Sequence, residues 1–530
     1  MSENNSVDFQ DLIDLVSGSS NKWLALFLSL ALWSCFLPAM YHISILFVGA
    51  TPNYYCLTSY GTLELNACFE NKTDLPCQTW SYDDSQYTST VVTEWNLVCD
   101  QLYYLPLLQG LYFLGIIIAC LIAGPLADIW GRRKTALCLT IIQILAAYSS
   151  IFSSNYWIFL ILRMILGGSS HTTWVVILII SMEIIPSNKR AIIGSLFQMF
   201  WKLGFINLAL LAYLIRDHFY LQLAMSLFNL IFISYIWILP ESPRWLLSRG
   251  KVEEAKKYLR WIAIWNKPPG YSDELLDEKI QMFLKNEVKH EQFEEDPSSF
   301  THIVQFILTN TKVRVKYILG KSILRRRLGL IVYPWMVTGM SYYGIFLSVK
   351  LLNASKYIII VVASVVDIFI QFFAIYFFDK FGRIPTLMFT FSICGISGIL
   401  IFFTQASDTI IRSTLTIVGK TLSSVSFQGL GLLGPELFPT PIRSEVFSIM
   451  DSFSKFGAAI APFAVDLMSI IDYSLPNVFF GIMILLGGIC FLFLPETKGI
   501  DVPETVEELK LASDRTVMNK LIKCYRKENS

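Results

Sequence analysis

The sequence predicts an all-α membrane protein of twelve transmembrane helices arranged as two six-helix, pseudo-symmetric bundles. Three observations predict it. Of 530 residues, 54% are hydrophobic and only 16% charged, whereas a soluble globular chain carries about 25% charge. Apolar runs of the ~20 residues that a bilayer core demands recur along the chain. Short charged motifs between those runs return in the second half at a nearly constant offset.

The apolar runs lie near residues 22–48, 104–126, 136–154, 157–182, 191–214 and 219–239, then near 328–349, 357–378, 386–404, 411–434, 445–470 and 476–494. They divide the chain into a cytosolic N-terminus (1–21), an N-terminal bundle (22–239) with an extracellular loop at 50–103, a cytosolic helical loop (240–327), a C-terminal bundle (328–494) and a cytosolic tail (495–530). The first 21 residues carry Glu3, Asp8, Asp11 and Asp14 and no base. That is unlike the basic start of a cleaved signal peptide, so the first span reads as a retained anchor. Phe9, Leu12, Ile13 and Val16 share one helical face, which predicts a short helix lying in the membrane interface.

Orientation follows from the bases. Segment 50–103 has one, Lys72, against Glu64, Glu70, Asp74, Asp83, Asp84, Glu94 and Asp100. Arg132, Arg133, Lys134, Lys189, Arg190, Arg325, Arg326, Arg327, Lys380 and Arg383 flank spans on the other side. The positive-inside rule puts both termini and the middle loop in the cytosol of a multi-pass plasma-membrane protein. Cys56, Cys68, Cys77 and Cys99 fall in the outside segment and predict two disulfides of open connectivity. Asn71-Lys72-Thr73 is a glycan acceptor there. The remaining cysteines read as packing residues.

The repeat is ordered. Asp128-Ile-Trp-Gly131-Arg132 returns as Asp379-Lys-Phe-Gly382-Arg383 (379 − 128 = 251). Glu183-Ile-Ile-Pro186 with Arg190 returns as Glu436-Leu-Phe-Pro439 with Arg443 (436 − 183 = 253), and Pro240-Glu241 as Pro495-Glu496 (495 − 240 = 255). Parallel duplicated halves imply a substrate site at the midplane between them.

Gly124-Pro-Leu-Ala-Asp128-Ile-Trp-Gly131-Arg132-Arg133-Lys134 resembles the signature loop of the major facilitator superfamily, and Arg163-Met-Ile-Leu-Gly167 its fourth-helix motif. Within that superfamily the chain resembles the organic cation/anion/carnitine transporters. The strings are Ser89-Thr-Val-Val-Thr-Glu-Trp-Asn-Leu-Val-Cys99, Leu239-Pro-Glu-Ser-Pro-Arg-Trp-Leu246, Tyr342-Tyr-Gly344 and Pro435-Glu-Leu-Phe-Pro-Thr-Pro-Ile-Arg443. Sugar porters share forms of the Pro-Glu-Ser-Pro-Arg string. The outside segment, with four cysteines, is short for the organic-ion family. The resemblance implies the major facilitator fold and a gating set of Asp128, Arg132, Arg163, Glu183, Arg190, Asp379, Arg383, Glu436 and Arg443. In this reading Asp128 and Asp379 pair with bases or cap helices. Glu183 with Arg190, and Glu436 with Arg443, form charge clusters that break when the halves rock. The plainer reading is that they only fix topology and packing.

In the middle loop, Val252, Ala255, Leu259 and Ile262 share a helical face with a Glu253–Lys257 pair, and a second helix is expected from Ser272 to Lys289. Ionisable groups inside spans cost ~2.5–3.5 kcal/mol each on insertion scales and need a reason. They are His171, Lys202, Asp367, Lys420, Asp451, Lys455 and Asp466, amid rings that suit amphipathic organic ions. The resemblance lays His171 on a cavity lysine of the cation transporters, Trp174 on their tryptophan, and Asp367 on an acidic family position. Lys455 falls where cation transporters have aspartate and anion transporters arginine. The candidate substrate set is His171, Trp174, Lys202, Tyr342, Asp367, Gln371 and Lys455. Lys455 favours an anion or a zwitterion's carboxylate, unless Asp451 one turn earlier neutralises it.

The expected function is secondary-active or facilitative transport of organic ions by alternating access, leaning to anions or zwitterions, with cation transport as the alternative. A transporter-like receptor or scaffold is the reading of another class. No phosphate loop, paired Cys/His spacing or hydrolase elbow points to an enzyme, cofactor or metal. A net charge of +1 offers nothing to nucleic acid. The partners expected are a small organic ion and the lipid bilayer.

Overall fold

The computed structural model describes residues 9–499 with Pro503 and Leu509, except 18–21, 58–62, 66, 70–75, 78, 187–188, 288–315, 353, 406 and 440–441. Asn71 and Cys524 therefore lie outside the described residues.

Ten helices among the described residues are long and apolar enough to cross a bilayer. Spans 1 to 6 are Lys22–Val48, Cys99–Trp130, Arg132–Ile151, Tyr156–Ile184, Ile192–Leu214 and His218–Ile238. Spans 7 to 9 are Ser322–Leu351, Lys356–Phe381 and Arg383–Phe403, and span 12 is Leu475–Phe493. Between these last two come span 10 (Thr409–Glu436) and span 11 (Arg443–Ser469), helices of 28 and 27 residues. Each is about 40 Å long, enough to cross. They are less apolar because Arg412 and Lys420 sit in one, and Glu445, Asp451, Lys455 and Asp466 in the other. Twelve spans result, near the ranges the apolar runs predict. Proline interrupts several of them (Pro38, Pro334, Pro462), where neighbouring helices can satisfy the freed carbonyls.

One face of the molecule carries an antiparallel sheet, ordered β2-β1-β3, of β1 (Tyr54–Leu57), β2 (Leu63–Leu65) and β3 (Trp80–Tyr82). Disulfides Cys56–Cys77 and Cys68–Cys99 resolve the open connectivity. The first ties β1 to Cys77, three residues before β3; the second ties Cys68, beyond β2, to the start of span 2. The sheet segment also grips the turn between spans 5 and 6, where His218 Nε2 lies 2.7 Å from Glu94 Oε2 and Arg216 donates to Ser85 O at 3.2 Å. We call this the sheet face and the opposite one the basic face.

On the basic face the repeat has a physical purpose. Gly131 and Gly382 turn the chain into spans 3 and 9 at φ +103° and +102°, a region that only glycine enters cheaply. Their lack of a side chain admits a carboxylate. Glu241 Oε1 accepts from Arg133 N at 3.0 Å. Glu496 accepts from Arg383 N at 2.9 Å and Ile384 N at 3.0 Å. Each carboxylate thus caps the positive N-terminus of a span. The capping acid is the Pro-Glu residue at the end of span 6 or 12, not Asp128 or Asp379. Burial raises the Glu241 carboxyl above its usual range, while the backbone N–H groups it accepts from act against that shift.

Three sequence expectations change. The N-terminal helix, Phe9–Ser17, buries Phe9, Leu12, Ile13 and Val16 against protein, with Phe9 edge-on to Phe283 at 6.1 Å. It packs on the middle-loop helices Val252–Asn266 and Asp273–Glu287 rather than lying in the membrane interface. An apolar face prefers a preformed apolar partner to half-exposure at a headgroup. Asn266 fixes this junction, donating to Val16 O at 3.2 Å and accepting from Trp23 N at 3.2 Å. Glu253 pairs with Lys256 at 3.3 Å, not with Lys257, because Lys256 also faces Asp277 at 3.1 Å across the two helices. Cys138 is exposed rather than packed.

The caps generate a prediction. Gly382→Ala forces a side chain into a left-handed φ and sets its Cβ 2.8 Å from Glu496 Oε2. It should cost about 1–3 kcal/mol, read as a lowered melting temperature of the detergent-purified protein. Gly431→Ala, with open space around its Cβ, serves as the neutral control. Equal melting of the two variants would remove the capping role.

Candidate functional site

Between the halves lie two buried charge clusters. The first is built on Asp367 of span 8, which is 1% exposed. Its Oδ2 contacts Lys420 Nζ of span 10 and lies 3.4 Å from Lys202 Nζ of span 5. Lys202 also donates to Tyr342 Oη (span 7) and to Ser424 Oγ (span 10), each at 2.9 Å. Gln371, one turn beyond Asp367, donates to the same Ser424 Oγ at 3.3 Å. Lys202 belongs to the first half and its partners all belong to the second. A buried lysine with one ion pair and two hydroxyl acceptors has all three ammonium protons engaged.

The second cluster is centred on Asp451 of span 11. Lys455 Nζ lies 3.3 Å from its Oδ1, an i,i+4 pair. His171 Nε2 of span 4 lies 4.0 Å from its Oδ2. Lys455 therefore has the intrahelical partner that the sequence offered as its neutral reading. Its ammonium also sits 5.6 Å from the Phe427 ring centre.

Rings join the clusters. Trp174 packs on His171 at 5.2 Å and on Trp201 at 5.1 Å. His42 of span 1, fully buried, packs edge-on to Trp201 at 5.1 Å and tilted against Tyr343 at 5.7 Å. Tyr343 in turn meets Phe113 at 4.6 Å. The result is an aromatic shell contributed by both halves, with Lys202 and Lys455 at its polar ends. All seven candidate substrate residues lie in or beside it. Sequence reasoning missed His42 and Ser424. A histidine inside an apolar run was the available signal for the first; a serine gives none.

The motif residues gather elsewhere. On the basic face Arg132 pairs with Asp128 at 3.3 Å and Glu183 at 3.4 Å. Its counterpart Arg383 pairs with Asp379 at 3.4 Å and Glu436 at 3.2 Å. Glu183 thus takes Arg132, not Arg190. Arg190 instead donates to Ile185 O at 3.2 Å and to Gln10 Oε1 at 2.8 Å, holding the N-terminal helix. Arg443 opens span 11 near by. Arg163 stands apart near the start of span 4, buried, donating to Ser44 Oγ at 3.0 Å with its guanidinium 5.3 Å from the Tyr112 ring centre. On the sheet face the halves touch directly. Lys356 of span 8 donates to Leu46 O at 2.9 Å, and Tyr357 stacks on Phe47 at 5.2 Å.

Residues 85–509 match the sugar (and other) transporter family. Organic anion transporter 3 of Oryctolagus cuniculus is 30% identical over 436 residues, covering 82% of this chain and 77% of that protein. Organic cation transporter protein of Drosophila melanogaster is 29% identical, covering 82% and 76%. Solute carrier family 22 member 6-B of Xenopus laevis is 29% identical, covering 87% and 80%. Among solved structures, the inward open conformation of the xylose transporter XylE from E. coli superposes with a TM-score of 0.62 at 18% identity, covering 92% of this chain and 99% of that one. It shares the fold.

The Asp367 cluster makes a prediction about stability. Asp367→Asn leaves Lys202 and Lys420 buried beside no carboxylate and should cost about 3–5 kcal/mol. Adding Lys202→Gln should restore part of that, because one stranded charge is removed. Melting of the purified variants checks it; additive losses would sever the proposed link.

Proposed function

Since the chain belongs to the sugar (and other) transporter family, and within it to the organic-ion carriers of solute carrier family 22, we propose that it moves amphipathic organic anions or zwitterions across the plasma membrane by alternating access. One observation carries the choice of charge. Lys202 and Lys420 face a single Asp367, while Asp451 and Lys455 balance each other. The site between the halves therefore holds one positive charge in excess. In a low-dielectric interior such a charge attracts an anion strongly, and the aromatic shell supplies apolar area for the rest of the substrate. The relatives include transporters named for anions and transporters named for cations. The resemblance at Lys455, where cation carriers have aspartate, points the same way.

The gating assignment extends the reading. The sheet face is extracellular, as its disulfides require an oxidising compartment, and the basic face with both termini is cytosolic. Arg132 with Asp128 and Glu183, and Arg383 with Asp379 and Glu436, lock the cytosolic ends of each half. Opening outward would part Lys356 from Leu46 and Tyr357 from Phe47, while the cytosolic ends close. Duplication of caps and ion pairs in both halves supports a moving carrier over a static receptor, since a receptor needs no matched pair of hinges.

Cation transport is the second reading, favoured by the buried carboxylate of Asp367 and the half-buried one of Asp451 within an aromatic shell.

Uptake into proteoliposomes decides between them. An aromatic carboxylate should accumulate and an aromatic quaternary ammonium should not. Lys202→Gln should reduce carboxylate uptake at least about tenfold, the loss of one charge contact of about 1.4 kcal/mol or more. Lys455→Asp, which sets two carboxylates one turn apart, should abolish it. Ammonium uptake that Lys202→Gln leaves intact would transfer the assignment to cations; ligand binding without uptake would support the receptor. Asp128→Asn should reduce turnover more than surface expression, and equal loss of both would leave the loop a purely structural part.

A further inference from the structure

Three side chains from three spans converge beside the second charge cluster. Cys120 of span 2, His171 of span 4 and Asp451 of span 11 offer Sγ, a ring nitrogen and a carboxylate oxygen, all within 4.8 Å of one another. Two belong to the first half and one to the second. His171 is 1% exposed, and neither of its ring nitrogens has a hydrogen-bond partner. A buried imidazole that leaves both nitrogens unsatisfied is costly and calls for a ligand. Thiolate, imidazole and carboxylate form a borderline-soft donor set that suits zinc-class cations. Three protein ligands with a fourth position open match the arrangement of accessible zinc sites. Zinc ligands stand about 2.0–2.3 Å from the metal, so the three groups close on an ion by small side-chain rotations.

We propose that Cys120, His171 and Asp451 form a zinc-class site that bridges the two halves, and that a bound ion arrests transport by clamping them together. Binding releases the Cys120 thiol proton to solvent and draws Asp451 away from Lys455. No redox step is involved. Because one ligand lies across the junction from the other two, the complete site exists only where spans 2 and 4 meet span 11. Any motion that separates the halves there must strip Asp451 from the ion.

Two measurements test it on the full-length protein in detergent and in proteoliposomes. Isothermal titration with zinc chloride should show one tight site per chain, and Cys120→Ser should weaken it about tenfold or more, since losing even a group that only hydrogen-bonds a metal ligand costs that much. Cys138→Ser, which removes an exposed thiol, should leave it unchanged. Zinc should lower uptake of whichever organic ion the carrier takes, reversibly on chelation, and Cys120→Ser should escape this inhibition. Absence of saturable zinc binding, or binding and inhibition equal in wild type and Cys120→Ser, would overturn the proposal. If Cys120→Ser fails to fold, His171→Gln is titrated instead, with the same two outcomes for binding. The titration needs no transport, so failure of the transport reading leaves the metal result standing.

Discussion

The fold depends on one carboxylate. Asp367 is buried at the junction of the halves and is held between a lysine of its own half, Lys420, and one from the other, Lys202. Placing an ionised group in a membrane protein's interior is tolerated only with partners, and here the two partners lie on two other spans, 5 and 10. Tyr342, Ser424 and Gln371 are organised around the same charges. The surrounding packing therefore has a fixed point: spans 5, 7, 8 and 10 cannot drift without stranding a charge.

Away from that point the molecule is symmetric, and the symmetry is economical. Glycine turns at 131 and 382 admit the carboxylates of Glu241 and Glu496, and these cap spans 3 and 9. Arg132 and Arg383 then occupy equivalent positions, each bridging an aspartate on its own turn and a glutamate at the end of the fourth helix of its half. Each half is thus rigid at its basic end by the same means. Rigidity within halves is what lets motion concentrate between them.

Much of this was legible in the sequence because it depends on local rules. Span length and composition follow from bilayer thickness, and the repeat follows from ordered motifs at one offset. Even the two weakest spans were visible, since their polar residues interrupt an otherwise apolar run. What the sequence left open depends on distant pairing. Disulfide connectivity, the choice of Arg132 over Arg190 for Glu183, and the docking of Phe9, Leu12, Ile13 and Val16 on the middle-loop helices are contacts between segments far apart in the chain. Lys202 shows the limit well. As an isolated lysine in span 5 it had no matching motif, yet in space it is a buried cation that joins the halves. The Cys120, His171 and Asp451 cluster is the same case, since no spacing along the chain relates three ligands on three spans.

The asymmetric charges bear on how such a carrier avoids idle cycling. On the proposed reading, rocking the halves separates Lys202 from Asp367, Tyr342 and Ser424. Breaking one side of a buried ion pair is expensive, about 3–5 kcal/mol when nothing replaces the partner. Lys420 stays with Asp367, since both move with the second half. Lys202 is therefore the group that needs a substitute, and an organic anion resting in the aromatic shell can provide one. A loaded carrier exchanges one counter-ion for another as it moves, whereas an empty one strands a lysine. The same argument disfavours a cation, which would leave Lys202 uncompensated and add a like charge beside it. The excess charge that attracts the substrate is thus also the reason that movement waits for it.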